Sequence, residues 1–165
     1  MAINKSKTSA EIPLAIKFME ILETVKRNYL ERGTLGPEGA AAMAEHRAKE
    51  ITVFNYREIE HALLNKDEAS VQWVSNNGGS ELVALVQKKI KIADAAGMDL
   101  AEAMSRLEAY KTSGNPEFDS VPREIDKVAS DMIYDSLQNV AEIADKAGEP
   151  SGSIKGVLRN KAMFR

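Results

Sequence analysis

Glu58 and His61 stand one helical turn apart, the Glu-x-x-His spacing with which carboxylate-bridged di-iron bundles hold their metals. That chemistry needs a second such pair, and the other histidine, His46, has Met43 at the matching offset. His61 therefore reads as a surface or capping histidine. The absence of cysteine rules out disulfides, thiolate catalysis, Fe–S clusters and Cys-rich zinc sites, and no Ser-His-Asp arrangement can be proposed from two histidines without inventing distances. Gly33, Gly36 and Gly39 are not followed by Lys-Ser or Lys-Thr and succeed no clear strand, so they read as a flexible connection rather than a phosphate-cradling loop. Lys88, Lys89 and Lys91 read as a solvated face with Ile90 and Ile92 turned inward. Neither a catalytic centre nor a cofactor or metal is expected.

The spacing of apolar residues predicts an all-α chain, a bundle of about six to seven helices. Thr8 and Glu11 form a capping box with Pro13 behind it, so a first helix should start near residue 10 and run to Gly33. Its stripe of Ala15, Phe18, Leu22, Val25 and Tyr29, widened by Leu14 and Ile21, demands an apolar partner. Phe18, Leu22, Val25 and Tyr29 are the expected contact between copies of a homo-oligomer. Pro37 suits the first turn of a second helix, and Ile51 to Phe54, though β-prone, read as helix continuing into Tyr56, Ile59, Ala62 and Leu63.

Asp67 can cap a short helix that Asn76-Asn77-Gly78-Gly79 ends, with Ser80 capping the next; a hairpin turning at Asn77-Gly78 competes with this reading. Asp99 and Glu102 make a second capping box, and Thr112 to Pro116 is the linker candidate. Ser120 as cap and Pro122 in the first turn open the most regular helix, through Ile125, Val128, Met132, Leu137 and Val140 to Ala147. The chain divides at the linker into a helical core or oligomerisation region, 1–111, and a long helix with a C-terminal helix pair, 117–165, or forms one domain.

Ile143-Ala144-Asp145-Lys146-Ala147-Gly148, followed by Ser151 to Leu158, resembles the helix-turn-helix segment of bacterial repressors such as the lac and tetracycline repressor families. The resemblance implies that Ala144 allows a close helix crossing, that Gly148 takes the turn with positive φ, and that Ile143, Ala147, Ile154 and Val157 lock the pair. It also implies that Ser151, Gly152, Lys155 and Arg159 face the major groove of double-stranded DNA and that Ser153 bonds a phosphate. Lys155, Arg159, Lys161 and Arg165 leave the stretch from Ser151 onward without an acidic side chain, and Lys161 belongs to the same basic set. Glu149 stands where that motif carries an apolar residue. The same Ile-Ala-Asp-x-Ala-Gly pattern occurs 51 residues earlier, at Ile92 to Gly97, ahead of an acidic stretch.

A net charge of −3 places any nucleic-acid contact in a local patch, and 5% aromatic content argues against a base-stacking platform. No window approaches the 18 or so apolar residues of a membrane span, and the cytoplasm is the expected compartment. Two functional classes follow. One is a small oligomeric DNA-binding protein, of the regulatory, DNA-packaging or mobile-element accessory kind, bacterial or phage-like. The other is a helical protein–protein interaction or scaffold protein without a nucleic-acid role.

Overall fold

The computed structural model describes residues 13–97 and 116–162, and among them every regular element is helical. The elements are α1 (Leu14–Arg32), α2 (Pro37–Ile51), α3 (Tyr56–Leu64), α4 (Glu68–Val74), α5 (Ser80–Ala95), α6 (Pro116–Lys146) and α7 (Gly152–Ala162). A kink at Ser75–Gly79, where Asn77 and Gly78 leave helical geometry, joins α4 to α5, so the described residues build six rods if that kinked pair is counted as one. None of their helices is long and apolar enough to cross a membrane. The capping boxes at Thr8 with Glu11 and at Asp99 with Glu102 lie outside the described residues, as does most of the linker candidate.

Helix α1 begins at Leu14, later than expected. Pro13 is extended, with ψ 136°, and the Leu14 amide donates to the hydroxyl of Ser70 on α4. The apolar stripe of α1 finds its partners within the chain. Leu14 is buried, Phe18 meets the ring of Trp73 at 5.3 Å between centroids, and Tyr29 packs beside Leu35 and Met43. Helix α2 presents Ala40, Ala44 and Ala48 at four-residue steps, all without exposed surface, and is packed between α1 and α6. Side chains no larger than a methyl group let neighbouring backbones come close, which concentrates dispersion contacts.

Helix α2 does not continue through Ile51 to Phe54. It stops at Ile51, the buried Thr52 hydroxyl donates back to the Ala48 carbonyl, and the Asn55 side chain caps α3 at the Arg57 amide. Thr52, Val53 and Phe54 are all buried. Three consecutive helical positions sweep about 200° of a helix surface, more than one packed face can cover, so a turn serves them better.

Asp67 caps α4 at the Ser70 amide, as its sequence position suggested. Asn76 to Gly79 end α4, as their composition suggested, and a new helix follows. Asn77 leaves helical geometry at φ −109°, Gly78 takes φ +96°, and the chain re-enters helix at Ser80, whose side chain caps nothing. A side chain on Gly79 would strike Val74 and Val53, so the rod bends where its backbone is pressed against the core.

Helix α6, about 46 Å long at 1.5 Å per residue, begins at Pro116 rather than after Ser120, leaving Pro122 inside it. An internal proline costs a helix about 3 kcal/mol. The fully buried Val121 and Ile125 on either side each contribute about 1.5–3 kcal/mol by leaving water, which offsets that loss. The first half of α6 joins Leu14, Val53, Ile59, Val74, Leu82 and Val86 in one apolar cluster. Its second half, through Leu137, Val140 and Ala141, joins Leu35, Ala40, Met43 and Ile154 in another.

Candidate functional site

The turn between α6 and α7 closes as a full glycine C-cap. The Gly148 amide bonds the Asp145 carbonyl and the Glu149 amide bonds the Ala144 carbonyl, at 3.1 and 2.9 Å, with Gly148 at φ +70°. Gly97, in the earlier copy of the pattern, repeats the arrangement at φ +69° with its amide on the Asp94 carbonyl. Both copies thus share one helix stop, made possible by a residue without a Cβ in the left-handed region.

Ala144 is fully buried, as a close helix approach requires, but the pair is locked differently from the repressor-like expectation. Ile154 is buried and Ile143 half-buried, whereas Ala147 and Val157 are exposed. The reason is that α7 folds back along α6. Leu158, one turn beyond Ile154, packs with the Leu137 and Val140 cluster, and Lys161 reaches an open cleft lined by Asp126, Ser130, Asp131 and Tyr134 of α6. The inward pair of α7 is therefore Ile154 and Leu158, spaced by four.

The residues expected to face DNA are not all free to do so. Ser151 is 8% exposed, and its hydroxyl donates to Asp145 Oδ1 at 2.6 Å. Lys155 Nζ pairs with the same carboxylate, 2.9 Å from Oδ2. The Ser151 hydroxyl and the Lys155 ammonium together hold the Asp145 carboxyl below its ordinary range. Gly152, Ser153 and Arg159 are exposed, and Lys161 is half-buried. Acidic side chains of α6 meet the basic ones of α7 at two places: Asp145 at Lys155, and Asp126 and Asp131 in the cleft that Lys161 shares.

Glu149 has a structural role that its place in the motif did not suggest. Its Oε1 accepts from the Gly39 amide at 2.8 Å and its Oε2 from the Glu38 amide at 3.1 Å, so it caps α2 from 110 residues away. The free amides and the dipole at a helix N-terminus favour such a carboxylate. The loop glycines provide the room: a β-carbon on Gly36 would overlap the Glu149 carboxyl, and one on Gly39 would come within 3.2 Å of it.

Two further polar pairs lie in the interior. Lys89 is not on a solvated face. It has no exposed surface, and its Nζ donates to Glu60 Oε1 at 2.8 Å. Burial pushes Lys89 down and Glu60 up, each towards its neutral form, and the bond between them opposes both shifts. His46, 3% exposed, shares a 3.0 Å hydrogen bond between Nδ1 and the Ser136 hydroxyl, joining α2 to α6. Burial, then the neighbouring Arg47 and Lys161 charges, lower its pKa to about 4. Glu58 pairs with Lys17 of α1, and His61 is exposed. Among the described residues no group of acidic and histidine side chains is placed to hold a metal ion.

The chain matches no protein-family model, no curated protein and no solved structure.

Proposed function

We propose that this protein is a helical interaction or scaffold module, working through its surfaces rather than through a reacting centre. One contrast supports the reading. The buried polar side chains already have partners: none among the described residues holds a nitrogen or oxygen without a hydrogen bond. Large apolar side chains, by comparison, are left outside, and three of the five exposed ones among the described residues, Ile16, Met19 and Leu30, lie on α1. These make α1 the described helix with the most exposed large apolar side chains, where a partner would gain most by covering it.

A second reading, DNA binding through α7, has its own support in the left-handed Gly148, the buried Ala144 and the exposed Ser153 and Arg159. An anisotropy titration with labelled duplex DNA at two salt concentrations separates the two. The interaction reading expects no binding even at low salt. Binding that weakens steeply with salt, and disappears in a Lys155→Glu, Arg159→Glu double variant, overturns it in favour of DNA.

A further inference from the structure

The outward face of α1 is matched to itself. Ile16, Met19, Glu20, Glu23, Arg27 and Leu30 fall within roughly 100° of arc on the helix, with Lys26 at its edge. This arc lies opposite the side that carries Leu14, Phe18, Ile21, Val25 and Tyr29. Ile16, Met19 and Leu30 are 51, 56 and 44% exposed, and all four charged residues are exposed as well. Glu23, Lys26, Arg27 and Leu30, with Glu31 at the rim of the arc, line a shallow depression at the C-terminal end of this face.

The order of the residues matters more than their exposure. Reading from the N-terminal end, the face runs apolar, acidic, basic, apolar. Reversed, it runs apolar, basic, acidic, apolar. An antiparallel copy turned about Glu23 sets Ile16 against Leu30, Met19 beside Arg27 and Glu20 against Lys26, each twice over by symmetry, and leaves one like-charged contact, Glu23 with its own copy, at the axis beside the two Arg27 side chains. A parallel copy would set acid against acid and base against base.

We infer that α1 pairs antiparallel with α1 of a second copy of this chain, about a two-fold axis passing near Glu23. The inference rests on the interaction reading above, and it moves the contact to the opposite side of α1 from Phe18, Leu22, Val25 and Tyr29. A 19-residue helix is about 28 Å long. Pairing along that length alone gives an interface at the small end of the specific range, below about 1,200 Å² in total. The dimer is accordingly weak and concentration-dependent.

The absence of cysteine makes the geometry directly readable. Under mild oxidation, Glu23→Cys should cross-link to itself, because residue 23 faces its own copy across the axis. Ile16→Cys alone should not, since the two copies of residue 16 stand about 21 Å apart along the helices. An equimolar mixture of Ile16→Cys and Leu30→Cys should give the mixed dimer. Self-linking by Ile16→Cys as fast as by Glu23→Cys overturns the antiparallel arrangement. Failure of every pair to link, with sedimentation showing monomer at all concentrations, overturns the dimer.

Charge supplies a second readout that disturbs no buried residue. A Glu20→Lys, Glu23→Lys chain and a Lys26→Glu, Arg27→Glu chain should each sediment as monomer, and their mixture should sediment as a heterodimer. A mixture that stays monomeric where the unaltered chain dimerises overturns the pairing. These outcomes are independent of the DNA titration, which tests the interaction reading itself.

Discussion

The carboxyl group of Glu149 fills the space that a β-carbon on Gly36 would occupy, while its two oxygens cap the amides of Glu38 and Gly39. Gly36 itself lies at φ −76°, ψ 179°, where alanine is equally at home. The glycine is therefore there for the glutamate, not for the backbone.

That dependence gives a change of sign. Gly36→Ala should displace Glu149 and cost about 1 kcal/mol, the usual worth of a helix cap. In a Glu149→Ala background, where the cap is already gone, the same change should stabilise by about 0.4–1 kcal/mol by restricting the unfolded chain. Urea denaturation of the four proteins measures the coupling, and simple additivity would refute the contact.

Lys89 and Glu60 should behave unlike a surface pair. Lys89→Met leaves a buried carboxylate alone and should cost about 3–5 kcal/mol, whereas Lys89→Met with Glu60→Leu should restore most of that loss or exceed it. Thermal and urea unfolding of the single and double variants decide the matter. A double variant weaker than Lys89→Met would show that the pair adds net stability.

His46 predicts a pH response. The unfolded imidazole takes a proton near pH 6.5, the folded one only near 4, so the unfolded state binds more protons between those values. The contribution is fully present above pH 6.5 and is lost as pH falls towards 4, amounting to about 3 kcal/mol. The difference in unfolding free energy between the parent and His46→Gln should change by that order between pH 7 and 4. A difference independent of pH would mean that the folded imidazole at residue 46 binds its proton no less readily than the unfolded one.

Two glycines should respond in opposite directions. A β-carbon on Gly79 would press on Val74 and come within 3.0 Å of Val53, so Gly79→Ala should cost about 1–3 kcal/mol. Gly156 lies inside α7 with nothing within 4 Å of such an atom, and Gly156→Ala should stabilise by about 1 kcal/mol. Melting temperatures of the two variants report the signs.

The helices were legible because their signals are local: the Gly33 stop, Pro37 at the start of α2 and the Asp67 cap all lie within a turn of what they control. Lys89 was legible in principle as well. It shares a face with Leu82, Val86 and Ala93, all buried, and its spacing from them marks it as inward, although its charge suggested the opposite. Glu149 was not legible, since nothing near it in the chain announces amides 110 residues away. His46 escaped for a related reason. Helix α2 is packed on two sides, so its burial follows no single stripe. The antiparallel match along α1 became visible only once folding had separated the inner face of that helix from the outer one.

The kink at Ser75–Gly79 also sets a rotational phase. Each residue of an α-helix advances about 100° around the axis. Removing one residue there would shift the phase of α5 and swing Leu82, Val83 and Val86 away from the first cluster and Lys89 away from Glu60. The length of this kink keeps two consecutive helices in register with one interior, so a single-residue deletion in it should be less tolerated than its polar sequence suggests.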